Sequence, residues 1–235
     1  MGNELTRLGS SLTVARDQFE ILDHFTEFTD AQRWTAAVVA TGTVAHEGSA
    51  GRSAMKFFCT AVNDAAVLAT THEIFKFRAG KEMAAEAHII FTDVDTDDGM
   101  VGFGWADALA ATSMADTTGA ITATDACMIY KLPDSSVWAF HTEINGTATA
   151  SVSDKTAGGT AAQVLRIEVK ARSATVFECR PLVDGVPLKK AAGVPIMHTV
   201  TLGTATDMDF GMIVKSIDAA DFNVYLDYIY AGQSI

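Results

Sequence analysis

The sequence predicts an all-β chain folded as an antiparallel two-sheet sandwich. Three observations predict it. Apolar and polar residues alternate with period two in segment after segment, the mark of half-buried antiparallel strands. Tight-turn dipeptides punctuate those segments, at Ala79-Gly80, Asn145-Gly146, Gly158-Gly159 and Asp184-Gly185. Helical periodicity is scarce, its best stretch being the short "WADALAATSMA" of residues 105–115.

Residues 1–17 are polar and without strong periodicity, and are expected to form an extended arm ahead of a single β-sandwich domain over 18–235. An aromatic strand then begins in "FEILDHFTEF". In "RSAMKFFCT" (52–60), Met55, Phe57 and Cys59 alternate against Lys56 and Thr60. In "AEAHIIF", Ala85, Ala87, Ile89 and Phe91 share one face, with Glu86 and His88 on the other. The Val101, Phe103 and Trp105 face of "VGFGW" is expected to be core. Gly102 and Gly104 opposite would let another backbone or a partner subunit come close.

"SVWAFHTEING" places Trp138 and Phe140 on one face and His141 and Glu143 on the other. In "VLRIEVKA", Leu165, Ile167 and Val169 oppose Arg166, Glu168 and Lys170. Asp184-Gly185, between Val183 and Val186, is a tight hairpin turn, and Pro181 and Pro187 beside it indicate edge positions. Two strands close the chain. One alternates Met208, Phe210, Met212 and Val214; the other alternates Phe222, Val224, Leu226, Tyr228 and Tyr230. About a dozen strands are expected, at sandwich spacing. The segments 110–125 and 145–163, rich in Ala, Thr, Gly and Asp, read as long surface loops.

The balance of 17 basic to 29 acidic side chains gives a formal charge of −12, and no basic cluster exceeds Lys189-Lys190. Nucleic acid and anionic membranes reward Lys/Arg clusters and are excluded as expected partners. Cys59, Cys127 and Cys179 are odd in number, widely spaced and set in strand-like runs, so buried reduced thiols are expected, as in a reducing cytosol. The N-terminus lacks the apolar core of a signal peptide, although Gly2 and Thr6 fit the short myristoylation pattern.

The order of segments resembles a known family. "GSAGRSAMKFF", "FKFRAGKEMAAEAHIIFTD", "MVGFGWAD", "VFECRPLVDGVPL", "DMDFGMIVK" and "NVYLDYIYAGQ" carry the resemblance over residues 18 to 232. The chain is similar to the concanavalin A-like, laminin-G-like β-sandwich of tailed-phage virion proteins. That implies a jelly roll of two curved sheets, and a role in capsid decoration, in head fibres or in receptor binding. The same fold hosts lectins, glycanases and lyases, so fold alone does not decide function.

Candidate sites are few. "FTDVDTDDG" places Asp93, Asp95, Asp97 and Asp98 close together. An EF-hand starting at Asp93 needs glycine sixth and glutamate twelfth; Asp98 and Gly104 stand there, so that motif is excluded. A looser calcium site and a solvated acidic turn both remain open, and calcium is the only cofactor in view. Glucan hydrolases of the fold use a tight Glu-x-Asp-x-x-Glu run; Glu82-Met-Ala-Ala-Glu86 lacks the middle acid. His141 and Glu143 could pair as acid and base, or simply form a polar outer face. Trp34, Trp105 and Trp138 lie in apolar runs and are expected in the core, not on a sugar platform. Tyr225 and Asp227 on the final strand are interface candidates.

With no catalytic constellation in view, the expectation is a non-enzymatic structural virion protein, located on the capsid surface and made in the host cytoplasm. It would cement the head by binding the major capsid protein as a homo-oligomer, by analogy a trimer. The alternative is a carbohydrate-binding host-recognition module of a head fibre or tail, with a glycan as partner.

Overall fold

In the computed structural model, residues 18–25, 33–49, 52–91, 99–203, 207–218 and 221–234 are described. The expected arm (1–17) and Asp93, Asp95, Asp97 and Asp98 of the acidic loop lie outside them. The first half of the chain gives β1 (Gln18–Asp23), β2 (Trp34–Val39), β3 (Thr43–Ser49), β4 (Arg52–Cys59), β5 (Ala65–Thr70), β6 (Met83–Phe91), β7 (Gly99–Ala106) and β8 (Ala126–Lys131). The second half gives β9 (Val137–Ile144), β10 (Thr147–Thr156), β11 (Gly159–Ala171), β12 (Val176–Val183), β13 (Val186–Pro187), β14 (His198–Thr201), β15 (Asp209–Ser216) and β16 (Phe222–Ser234). No helix among the described residues is long and apolar enough to cross a membrane.

These strands form two antiparallel sheets, as the sequence predicts. The larger runs β13-β12-β11-β6-β16-β4-β3, with β1 also paired to β16 and β14 to β12. The smaller runs β10-β9-β8-β7-β15-β5-β2. Their inner faces meet in one core, built from the residues the alternation selects: Met55, Phe57 and Cys59; Ala85, Ala87, Ile89 and Phe91; Leu165, Ile167 and Val169; Phe210, Met212 and Val214. Phe210 sits at an aromatic crossroads, its ring centroid 5.6 Å from Phe103, 5.7 Å from Phe75, 5.8 Å from Trp105 and 6.2 Å from Trp34. Trp34, Trp105 and Trp138 are all buried. The Asn145-Gly146 and Asp184-Gly185 pairs all take positive φ, the geometry of a two-residue hairpin turn.

Four expectations need correction. The segment 145–163 is not a surface loop but most of β10 and the start of β11; its small polar residues line an exposed sheet edge and so hide the alternation. The helical candidate at 105–115 gives only a 3-10 turn at Ala111–Ser113, because Trp105 and Ala106 belong to β7. The segment 110–125 is a surface loop, as expected, but one side of it is apolar and buried. Leu109, Met114, Ile121 and Ala123 cover the outer face of the smaller sheet, making a second apolar cluster with Met100, Met128, Tyr130 and Ile213. The space beside Gly102 is therefore filled by this chain's own Met114 and Ile213, not by a partner. Finally, Pro181 is not on an edge strand: β12 pairs with β11 on one side and with β14 and then β13 on the other. Pro181 falls in the gap between those two partners, where a missing N–H breaks no ladder bond.

Two buried polar groups hold this arrangement. Lys215 of β15 is 1% exposed. Its Nζ donates to the carbonyls of Ala111 (2.8 Å) and Met114 (2.7 Å) and to the Asp116 carboxylate. The covering segment is thus pinned to the sheet by one ammonium whose three donors are all used. Between the sheets, His198 of β14 reaches the smaller sheet: Nδ1 lies 3.0 Å from Thr142 Oγ1 and Nε2 3.0 Å from Ser151 Oγ. Burial, with smaller contributions from His141 and Lys190, lowers the His198 pKa to about 4.

Two outcomes follow. Lys215→Ala leaves the carbonyls of Ala111 and Met114 without their donor, and should cost roughly 3 kcal/mol in urea unfolding and expose 107–125 to proteases. His198 is neutral when folded and takes up a proton near pH 6.5 when unfolded. Stability is therefore lost as pH falls from about 6.5 to about 4. The loss from this group should be on the order of 2–3 kcal/mol, and His198→Gln should remove it, read as a flatter curve of unfolding free energy against pH.

Candidate functional site

The central strands of the smaller sheet are covered on both faces, with β2 and β10 exposed at its edges, so the broad exposed face is the outer side of the larger sheet. Side chains there come from neighbouring strands in register. Glu86 of β6 stands opposite Arg166 of β11 and, on its other side, opposite Tyr230 of β16. Tyr228 stands opposite His88, and Leu22 of β1 opposite Tyr230.

A bulge makes this face. Within β16 the register shifts between Leu226 and Tyr228. Phe222, Val224 and Leu226 point into the core before it, and Ile229 and Ala231 after it. Asp227 is the extra residue, and Tyr228 and Tyr230 are thereby turned outward. The uninterrupted alternation expected from the sequence is wrong here. An added residue reverses the facing of everything after it.

The groups so gathered are tightly bonded. Tyr228 Oη donates to Glu86 Oε1 at 2.6 Å. Arg166 donates from Nη1 to Glu86 Oε2 at 3.0 Å and from Nε to Glu168 Oε1 at 3.1 Å. His88 Nδ1 lies 2.8 Å from Asp227 Oδ2, and since a carboxylate only accepts, the ring nitrogen donates. The His88 ring lies parallel to that of Tyr228, centroids 5.7 Å apart. Burial, then the Glu86 charge, pushes the Tyr228 phenol well above its ordinary value. Burial and then Glu20 raise Tyr230 to about 12. Both phenols therefore stay protonated donors at neutral pH. Arg166 is held in its charged form: burial works against it, and the bonds to Glu86 and Glu168 more than compensate.

Two adjoining depressions open on this face. One, of about 280 Å³, is lined by Gln18, Glu82, Arg166, Glu168, Lys170 and Tyr230, among others. The other, of about 320 Å³, is lined by Glu20, Leu22, Glu86, Arg166, Tyr228 and Tyr230, among others. Arg166 and Tyr230 belong to both. The charged lining comprises Glu20, Glu82, Glu86, Glu168, Arg166 and Lys170, an acidic balance.

The candidates from the sequence fare unevenly. Asp227 belongs to the cluster through His88. Tyr225 is half-buried on the same face one pleat away, with Lys56 Nζ 5.6 Å from its ring centre. Glu86 lies at the centre of the site and Glu82 on its rim, though not in the glycanase spacing that draws attention to them. His141 Nε2 is 3.3 Å from Glu143 Oε2, on the opposite sheet and 6% exposed. Burial lowers the His141 pKa against the opposing pull of Glu143. No cluster of three or more His, Cys, Asp or Glu arranged to hold a metal occurs among the described residues. Sequence reading missed the partnership of Arg166, Glu168, Tyr228 and Tyr230. The only signal available was the place of Arg166 and Glu168 on the polar phase of their strand; Tyr228 and Tyr230 fall on the apolar phase of theirs.

No protein family and no curated protein matches the chain. Solved structures do. A protein of unknown function from Shewanella oneidensis MR-1 is 11% identical with a TM-score of 0.60, over 100% of this chain and 95% of its own. The metal-free carbohydrate recognition domain of Emp46p is 12% identical with a TM-score of 0.57, over 89% and 94%. An endo-1,3-beta-glucanase from Streptomyces sioyaensis is 14% identical with a TM-score of 0.55, over 93% and 97%. At these identities the likeness is one of fold. It supports the concanavalin A-like lectin and glucanase sandwich and lends nothing to a virion role. It also overturns the expectation of a non-enzyme. That expectation rested on the lack of a familiar motif, whereas the similar structures include an enzyme, the endo-1,3-beta-glucanase.

The cluster itself is testable by stability alone. In a double-mutant cycle of Glu86→Gln and Arg166→Met, the coupling should be about 1 kcal/mol, as for a half-exposed paired charge, read from urea midpoints. Additive losses would show that the two do not act together.

Proposed function

We propose that this protein binds a neutral oligosaccharide along the outer face of the larger sheet, in the depressions around Arg166 and Tyr230. The observation that carries this reading is the pairing of two outward tyrosines with a fixed array of carboxylates. A sugar ring offers an apolar face and a rim of hydroxyls. Tyr228 and Tyr230 supply aromatic surface for the first; Glu20, Glu86 and Glu168 supply acceptors for the second. The array is held in place before any ligand arrives, because Arg166 ties Glu86 to Glu168 and Tyr228 ties Glu86 to β16. Preorganisation of this kind lowers the ordering cost of binding.

The acidic balance of the lining argues for uncharged sugars over polyanionic ones, since Arg166 is already engaged by two carboxylates. The fold likeness to a carbohydrate recognition domain and to a glucanase agrees with a saccharide ligand. It agrees better with the host-recognition alternative than with capsid decoration, for which no feature of this face speaks.

The test is a glycan array followed by calorimetry on the hits. Neutral glycans should bind, and Tyr230→Ala should weaken binding about tenfold, the worth of one aromatic contact. Analysis of the recovered glycan separates binding from cleavage. An array empty of neutral glycans, or affinity untouched by Tyr230→Ala and Glu86→Gln together, would sink the proposal.

A further inference from the structure

We propose that Cys127 and Cys179 form a disulfide that fastens the two sheets to each other. Cys127 lies on β8 of the smaller sheet and Cys179 on β12 of the larger, and both side chains are wholly buried in the core between them. Their surroundings fix how close they are. Cys127 stands directly opposite Thr142 on β9, and Cys179 directly opposite His198 on β14. Residues opposite one another in antiparallel strands point to the same side of their sheet. Thr142 and His198 meet across the core, Oγ1 to Nδ1, at 3.0 Å.

The two cysteines are thus the next pair along, one strand over on each sheet from a hydrogen bond that already spans the sandwich. After burial, the Cys179 thiol is the neighbour that raises the Cys127 pKa, which agrees with the register. Cα atoms of β9 and β14, and of β8 and β11, come within 8 Å of each other, closer than the usual ~10 Å between packed sheets. A disulfide spans Cα separations up to about 6.8 Å, so the bond requires β8 and β12 to approach to about that distance at these two residues. Sandwiches elsewhere carry inter-sheet disulfides of this kind. Cys59 has no such neighbour; its Sγ points at the Val214 carbonyl, 3.7 Å away.

The sequence alone gives no reason to pair these positions and leads to the expectation of three reduced thiols; in the structure all three cysteines are free and buried, and the proposed bond is what oxidation makes of one pair. The oxidant is a small disulfide such as oxidised glutathione. One cysteine thiolate attacks it, releasing one glutathione thiolate and leaving a mixed disulfide. The second cysteine thiolate then attacks the protein sulfur of that intermediate, releasing the second glutathione. Two electrons pass to the glutathione pair, and the protein loses two hydrogens. Burial holds both Cys59 and Cys127 in the unreactive thiol form once folded, so the bond forms as the sheets close, during folding in an oxidising environment.

The experiment refolds the full chain from urea in a glutathione redox buffer, quenches with an alkylating reagent under denaturing conditions, and reads intact mass and linked peptides. Wild type and Cys59→Ser should each fall by about 2 Da, with a 127–179 linked peptide and one and no alkylated thiol respectively. Melting temperature should rise by roughly 10 °C over the reduced protein, as for a bond closing a loop of this length. Cys127→Ala and Cys179→Ala should stay reduced. If wild type refolds to its native circular dichroism with three alkylated thiols, or links through Cys59, the proposal fails. If oxidation traps a chain that melts lower than the reduced one, it fails too.

Discussion

The burial of Phe210 is the constraint on which the other features depend. Its ring meets Phe75, Phe103, Trp105 and Trp34, residues drawn from two strands and one connection. Aromatic pairs of this kind add about 0.5–1.5 kcal/mol each beyond the area they bury. Phe210 belongs to β15, which lies between β7 and β5, so its contacts tie the inner side of the smaller sheet together from β7 to β2 and bind the connection through Phe75 to it. The glycine after it shows how tight the fit is: a Cβ at Gly211 would lie 1.9 Å from the Leu68 carbonyl oxygen.

The smaller sheet carries a second burden. Its outer face is as apolar as its inner one, with Val67, Ala69, Met128 and Ile213, and an antiparallel sheet left so would expose a large sticky patch. The 107–125 segment covers it. Covering a sheet with irregular backbone leaves carbonyls to satisfy, and Lys215 does so from below. Lys131, 0% exposed, lies on the other face: it follows Cys127 and Ile129 along the inner side of β8 and donates to the Gly99 carbonyl of β7 at 2.8 Å. A buried lysine is a costly choice unless its donors are used. Its presence in an apolar strand marks a place where chain, not solvent, lies overhead. One consequence reaches function. With the centre of one sheet covered on both sides, the broad open face belongs to the other.

Much of this was legible in the sequence, and the limits were physical. Alternation gave the core face of β4, β6 and β11 residue by residue, because each has one wet and one dry side. It gave less for the smaller sheet, where both sides are dry and "ACMIY" or "VGFGW" reads as a continuous apolar run. It failed at β10, whose exposed threonines and alanines look like a loop. The lysines were visible but uninformative: Lys131 and Lys215 sit at strand ends, where solvated lysines are common. The site was half legible. Glu86, His88, Arg166 and Glu168 fell on the polar phase of their strands, but only register places Glu86 between Arg166 and Tyr230, and register is set by distant turns and packing.

The tyrosines were illegible for a sharper reason. Phe222 to Tyr230 reads as five large residues at period two, and the pattern is perfect on paper. It would drive Tyr228 and Tyr230 into the core and leave Ile229 and Ala231 outside. The fold does the reverse. Packing Ile229 between the sheets while Val224 and Leu226 remain there requires one residue to be looped out, and Asp227 is polar enough to be that residue, held by His88. A bulge sacrifices regular pairing at one point, and what it gains here is two phenols on the open face. Gly232 completes the arrangement: a Cβ there would sit 2.4 Å from Tyr230 Oη. A glycine late in a long strand, weak as strand former, thus leaves room for the ring that both depressions share.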